Sequence, residues 1–276
     1  MSYIKRAAAS NYPKSIQRNA SFAYEADSGI NVAFGSPVLS WADASGNGHT
    51  LTVPPQAVPN LPIPTPPILR KDGDGLPYVQ FDGISQILGI QGLPAYVGTE
   101  LTAYIVMRPF YNQPAVGRRI GMCLNKSGAI PGVAAGTMRI GGSVAQGYTV
   151  GVRENVTLAA GENTPGEPFN SWCATWGVYA MRCAVLSVDI AFFNFFHDNK
   201  NGGAQWGVPG TPLPPLAYTN LGVGGNSISS GVDTPAEFIR GDIRAVSVYQ
   251  LAHTDEEVKN QMRYYAHKWK VPGVLD

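Results

Sequence analysis

Thr102-Ala103-Tyr104-Ile105-Val106-Met107-Arg108-Pro109 is the stretch that decides the fold. It is rich in residues that favour a pleated, buried strand, and Pro109, which has no N–H for a sheet ladder, stops it. Two further runs share its character. Tyr78-Val79-Gln80-Phe81-Asp82-Gly83 reads as a strand closing in a turn, and residues 238–249 read as the final strand. The whole composition agrees. Of 276 residues, 32 are Gly and 22 are Pro, and only 14% are charged, a balance produced by many turns and few exposed helices. A chain of this length buries roughly 75% of its unfolded surface and needs no disulfide to be stable.

Upstream of the deciding strand, residues 1–20 are polar and show no sustained apolar period, so they read as an arm ordered by a partner. Phe22 opens the globular part. Trp41-Ala42-Asp43-Ala44-Ser45-Gly46-Asn47-Gly48, followed by His49 to Val53, reads as strand, tight turn, strand. Asp43 and Ser45 can bond their own backbone there. Residues 53–69 hold seven prolines and are expected to be an extended surface connector.

Downstream, residues 119–153 carry Gly at short intervals between apolar pairs, as in a meander of short strands. Residues 154–170 read as a loop, and 172–196 as two or three central strands. Residues 197–203 read as a polar turn, and 207–220 as a second Pro-rich loop. One helix is signalled near the end. Thr254 and Glu257 form a capping box. Asp255, Glu256 and Glu257 crowd its first turn, while Arg263, His267, Lys268 and Lys270 lie toward its end, which suits the helix dipole. Val258, Met262, Tyr265 and Trp269 make one apolar stripe, and Pro272-Gly273 ends the helix.

The formal net charge of +1 argues against nucleic-acid binding, which needs a basic stripe. Lys5, Arg6, Lys14 and Arg18 belong to a solvated arm. The most apolar stretch, residues 184–196, is short and interrupted by Asp189 and Asn194, so it reads as buried strands and not as a membrane span. Met1 to Ala9 lacks the long apolar run of a secretory signal. Cys123, Cys173 and Cys183 have no zinc spacing. Cys173 and Cys183 can be read as a cross-strand pair or as buried thiols.

Four pieces, in order, resemble the concanavalin A-like lectin/glucanase superfamily in its laminin G-like branch. They are Trp41-x-Asp43-x-Ser45-Gly46-Asn47-Gly48, then Phe81-Asp82-Gly83, then the Tyr104 strand, then Gly241-Asp242-Ile243 to Tyr249 closing into Leu251, Thr254, Glu256 and the His267-Lys268-Trp269 helix. The resemblance implies an all-β fold: a two-sheet antiparallel jelly-roll β-sandwich with one C-terminal amphipathic helix, spanning residues 21–276 after the 1–20 arm. Such domains occur in carbohydrate-binding modules, sugar-cleaving enzymes and bacteriophage virion proteins. By resemblance Asp242 matches an aspartate that holds a structural calcium ion between the sheets; the other reading is that it caps the turn at Gly241.

The E-x-D-x-x-E run of retaining glucanases, whose paired carboxylates act as nucleophile and acid, does not occur. Glu25-Ala26-Asp27 begins it, but Ile30 stands where the second glutamate belongs. No nucleophile elbow and no histidine pair at metal spacing occur either. His197-Asp198 could form an acid/base pair or a polar turn. Sugar binding needs an aromatic face beside polar groups, and His197, Asp198, Asn199, Asn201 and Trp206 supply that chemistry. The competing reading makes Trp206 core and the rest a loop. Arg240-Gly241-Asp242 spells the integrin-binding tripeptide, but it enters a strand instead of tipping a loop.

The expected function is that of a non-enzymatic structural protein of a bacteriophage virion, in a capsid or tail, with a lectin-like domain. The arm would dock on other virion proteins, the domain would take cell-surface glycan, and neither nucleic acid nor membrane would be a partner. The protein would be a homo-oligomer, assembled in the host cytoplasm and released by lysis, and would require no cofactor. A free carbohydrate-binding lectin or module is the alternative, and a polysaccharide-cleaving enzyme on the same fold is the third reading.

Overall fold

A computed structural model describes residues 19–55, 63–93, 96–110, 118–125, 137–143, 147–153, 174–187, 189–197, 200–206, 210, 216–225 and 238–273. The strands in chain order begin with β1 (Phe22–Glu25), β2 (Ser40–Trp41), β3 (Leu51–Thr52), β4 (Ile68–Lys71), β5 (Pro77–Asp82) and β6 (Leu88–Ile90). There follow β7 (Tyr96–Gly98), β8 (Leu101–Pro109), β9 (Arg118–Asn125), β10 (Thr137–Ser143) and β11 (Gly147–Arg153). The last are β12 (Gly177–Ser187), β13 (Ile190–His197), β14 (Lys200–Trp206), β15 (Leu216–Tyr218), β16 (Asn220–Val223) and β17 (Arg240–Tyr249), before helix α1 (Asp255–Trp269).

Two antiparallel sheets form a β-sandwich. Sheet I runs β14-β13-β12-β8-β17-β5-β4, with β1 also paired to β17, and sheet II runs β11-β10-β9-β16-β6-β3-β2. A small pair joins β15 to β7. The chain changes sheet between β1 and β2, β3 and β4, β5 and β6, β8 and β9, β11 and β12, and β16 and β17, and through the small pair between β6 and β8 and between β14 and β16. The deciding strand is therefore central: β8 lies between β12 and β17.

Alternation along β8 divides the sheet's two faces. Ile105 and Met107 point into the sandwich, against Gly121 of sheet II. Thr102, Tyr104, Val106 and Arg108 point the other way, where α1 lies over part of the sheet. Tyr265 of the helix donates to Ser247 Oγ at 2.8 Å, and its ring lies 6.2 Å from that of Tyr104. The expected stripe is the buried one: Val258, Met262, Tyr265 and Trp269 all lie in the core, and the Thr254/Glu257 capping box is formed. Glu25 and Asp27, which begin the incomplete glucanase run, both hold Lys268 of the helix, at 2.6 and 3.1 Å.

The loops are clamped by aspartates. Asp43 accepts the N–H groups of Ala23, Ser45 and His49 and the Ser45 hydroxyl, which closes the Trp41–Gly48 turn as its residue types predict. Asp82 does the same for Ile84, Ser85 and Gln86.

Three expectations change. Residues 53–69 are not wholly a connector: Ile68 enters β4 on the edge of sheet I, and Thr65 bridges to Gln86. The edge position tolerates the neighbouring prolines, because a missing donor there breaks no ladder. Residues 207–220 likewise yield β15 and the first residue of β16. The 197–203 segment is a β-hairpin, with His197 paired to Lys200 and β14 continuing to Trp206. The arm of residues 1–18, the loop of residues 154–170 and Cys173 lie outside the described residues. Cys183 donates to the Thr99 carbonyl at 3.3 Å.

Gly224 has φ +88° and a side chain there would start 2.1 Å from the Phe81 ring. Gly224→Ala is expected to cost about 2–4 kcal/mol, read as a lower urea midpoint. His253 is buried where β17 leads into α1. Its Nδ1 lies 2.6 Å from the Tyr104 hydroxyl, its N–H donates to Thr102 and its carbonyl accepts from Arg182. Burial holds its pKa at about 4, with Glu257 pulling it up and Arg182 pushing it down. The native state therefore keeps a neutral ring that the unfolded chain protonates first. Stability from this residue is complete above the unfolded value of about 6.5 and is lost as pH falls toward 4. Urea titrations at pH 7 and 4.5 should show the gap between the two pH values shrinking by on the order of 2–3 kcal/mol in His253→Gln.

Candidate functional site

Beside the C-terminal end of α1, the same face of sheet I carries a compact group of aromatic and charged side chains. Strand register brings them together. Asp242 of β17 stands opposite Arg108 of β8 and, on its other side, opposite Gln80 of β5. Tyr78, two residues before Gln80, is paired with Arg70 of β4. Trp176 arrives from just ahead of β12. The N–H of Ala174, at a left-handed φ of 67°, bonds the Pro109 carbonyl at 2.7 Å and swings the chain over the end of β8.

Arg108 is the centre of the group. Its Nε lies 2.9 Å from Asp242 Oδ2, and its Nη2 donates to the same oxygen at 2.5 Å. Three rings surround the guanidinium: Trp176 at 4.9 Å from the ring centroid, Tyr78 at 5.5 Å and Phe110 at 5.5 Å. A quarter of the Arg108 side chain stays exposed, while Asp242 is fully buried. Gln80 donates to Asp242 Oδ1 at 3.4 Å and accepts from Arg70 Nε at the same distance.

A second arginine supports the group from beneath. β17 slips register between Ile243 and Ala245, which adds Arg244 to the strand as an extra residue. Its guanidinium lies 3.8 Å from the Trp176 ring centroid, donates to the Trp269 carbonyl at 2.6 Å and forms an ion pair with Asp72. Asp72 also accepts the N–H groups of Asp74 and Leu76, so it fixes the β4–β5 turn and the arginine together. Burial dominates the electrostatics. It pushes the Asp242 carboxyl above its ordinary value, with Arg108 opposing, and lowers Arg244, with Asp72 opposing.

The residues around Asp242 do not fit a calcium ion. That ion takes six to eight oxygen ligands, and here a guanidinium and an amide N–H occupy the carboxylate, with a second guanidinium nearby. Among the described residues no group of three or more His, Cys, Asp or Glu could hold a metal. Asp242 orients Arg108 instead of capping the turn at Gly241. Since Asp242 is wholly buried, the Arg240-Gly241-Asp242 tripeptide is not presented to a partner.

The sugar site expected from sequence lies at the other edge of sheet I. His197 ends β13 and stacks on Tyr179, with ring centroids 4.4 Å apart and planes 6° from parallel. Asn201 pairs with Phe196 and Trp206 with Ala191 in the β13–β14 ladder. Asp198 and Asn199 lie outside the described residues. Arg108, Trp176, Tyr78, Gln80 and Arg70 were not singled out from the sequence as site residues. Alternation offered a signal for some of them, since Arg108 shares a strand face with Tyr104, and Gln80 with Tyr78. Nothing in the sequence places Trp176 beside them.

Among solved structures, the chain is similar to the Trypanosoma rangeli sialidase in complex with 2,3-difluorosialic acid, with a TM-score of 0.50 and 9% identity over 95% of this chain and 35% of that one. It thus spans about a third of that protein's length. The likeness speaks for the fold alone. A mutant of the NanB sialidase from Streptococcus pneumoniae gives 0.41 at 13% identity, over 66% of this chain and 26% of that one. The CBM40 of the Ruminococcus gnavus IT-sialidase, bound to α2,3 sialyllactose, gives 0.39 at 15%, over 61% and 92%. No protein-family model and no curated protein matches the sequence.

Arg108 is expected to stabilise the fold chiefly by neutralising Asp242. Arg108→Ala leaves a buried carboxylate without its cation, at a cost of about 3–5 kcal/mol at pH 7. The burial-raised pKa of Asp242 means that acidification protonates the stranded group first, so the deficit against wild type should narrow between pH 7 and pH 5, as measured by urea denaturation.

Proposed function

We propose that this chain is a non-catalytic, lectin-like domain that binds carbohydrate on the outer face of sheet I. The observation that carries the reading is the juxtaposition of the half-buried rings of Trp176 and Tyr78 with the fixed guanidinium of Arg108. Sugar recognition asks for this combination: an apolar ring face to cover the C–H side of a pyranose, and rigid polar groups beside it to take the hydroxyls. Here the polar groups are held in place by a buried carboxylate and a sheet, so little ordering entropy remains to be lost on binding.

The acids of this face support binding over catalysis. Asp242 is committed to Arg108, Asp72 to Arg244 and Asp255 to Arg182. A retaining glycosidase needs two carboxyl groups about 5 Å apart, one of them a nucleophile unencumbered by a cation. The reading calls for no cofactor.

The narrower reading, a concanavalin A-like, laminin G-like jelly-roll protein of a bacteriophage virion, is supported by the sequence resemblance. Mass spectrometry of purified particles tests it, and the protein's absence from every particle would remove the virion role while leaving a free lectin. For the binding itself, a glycan array followed by calorimetry is decisive. At least one glycan should bind, and Trp176→Ala and Tyr78→Ala should each weaken it by about 10-fold or more, since loss of an aromatic face is worth about 1–3 kcal/mol. Both variants should keep the wild-type circular dichroism spectrum. Binding to no glycan would overturn the proposal.

A further inference from the structure

Resting on the reading that this face takes sugar, we infer that the sugar carries an anionic group, a carboxylate or a sulfate, seated between Arg108 and Arg70. Among the described residues most of the face's side-chain acceptors are taken. Asp242 takes three hydrogen bonds, from Arg108 and Gln80. Asp72 takes Arg244 and two backbone N–H groups, Asp82 takes three backbone N–H groups, and Asp74 lies 3.3 Å from Lys270. The one side-chain carbonyl of the group, on Gln80, faces Arg70.

Its donors are not spent. Among the described residues no hydrogen bond involves Nη1 of Arg108, either Nη of Arg70, Nε1 of Trp176 or the hydroxyl of Tyr78. The formal charges at the centre are Arg70, Arg108 and Arg244 against Asp72 and Asp242, an excess of one positive charge. A neutral sugar presents hydroxyls, each both donor and acceptor, and is best met by a mixture of acceptors and donors. A surface whose unbonded groups are mostly donors, two of them planar guanidinium groups, is best matched by a group that is acceptor-only. Carboxylates and sulfates are such groups, and charge-assisted bonds to arginine are about twice as strong as neutral ones. The rings packed around Arg108 add to the effect by displacing water from the cation before a ligand arrives.

Calorimetry on the full chain tests this with three oligosaccharides of equal length: one bearing uronic acids, one sulfated and one neutral. One of the acidic ligands should bind about tenfold or more tightly than the neutral one. Arg70→Gln, an exposed position that leaves the core untouched, should weaken the acidic ligand roughly threefold to fivefold more than it weakens the neutral one. Comparing the uronic and sulfated arms identifies the anion. Arg108→Lys keeps the charge on Asp242 but removes the planar fork, so it should reduce the preference for acidic over neutral ligand while the protein stays folded. Equal binding of all three ligands, or an acidic preference indifferent to Arg70→Gln, would overturn the inference and leave the sugar-binding reading standing. Binding of none of the three, together with a blank array, would remove both.

Discussion

The antiparallel pairing of β8 with β17 is the constraint on which the rest depends. Every residue of β17 after Arg240 is buried, so both faces of this strand are covered by protein. Its inner residues and those of β8 pack on sheet II. Its outer residues are shared between two tenants: Ser247 and Tyr249 meet the helix and the His253 joint, while Asp242 and Arg244 meet the arginine–tryptophan group. One strand thus ties together the two sheets, the terminal helix and the candidate site. The slip at Arg244 matters because it adds a residue without turning the strand over. The bulge lets a guanidinium reach Trp176, Asp72 and Trp269 from a position inside the sheet.

The layers were legible in the sequence wherever a residue type has one dominant physical role. Pro109 and Pro272 stop elements because proline lacks a donor, and Thr254 with Glu257 opens the helix because each side chain answers the other's backbone. Asp43 closes its turn for the same local reason. Prolines misled where edge and connector cannot be told apart. Residues 63–71 hold three of them and still supply β4, because an edge strand needs only one row of hydrogen bonds. β15 and β7 were missed because three-residue strands carry no period.

The candidate site was less legible, and for a different reason. Its members come from β4, β5, β8, β17 and the residues ahead of β12, and strand order, not sequence distance, makes them neighbours. Arg108 and Asp242 are 134 residues apart and opposite one another. Glu25 and Asp27 show the converse. Close in sequence and suggestive of a catalytic run, they are spent on Lys268 and the docking of the helix. Local chemistry identified turns and caps well because those are local interactions. It pointed to the β13–β14 hairpin because aromatic and amide residues are adjacent there in sequence, and it had no means to join residues that only strand order makes neighbours.

What remains is why a sandwich with an ample apolar core places two arginines and two aspartates under one tryptophan. Stability is a poor answer. Desolvating the charges costs several kcal/mol per ion, and well-packed apolar side chains at such positions often leave a protein as stable or more so. The opposing shifts of Asp242 and Arg244 carry the same message, since burial works against each charged form and the partner only resists it. A buried ion pair is better explained by what it holds still. Asp242 takes two of the nitrogens of Arg108, and among the described residues no hydrogen bond takes the third; a quarter of the side chain is exposed. Arg244 in turn holds Trp176, bracing the indole from the core side. The charges are thus spent on presenting one cation and one ring in fixed geometry at the surface, which is useful to a face that binds and has no use in a face that only packs.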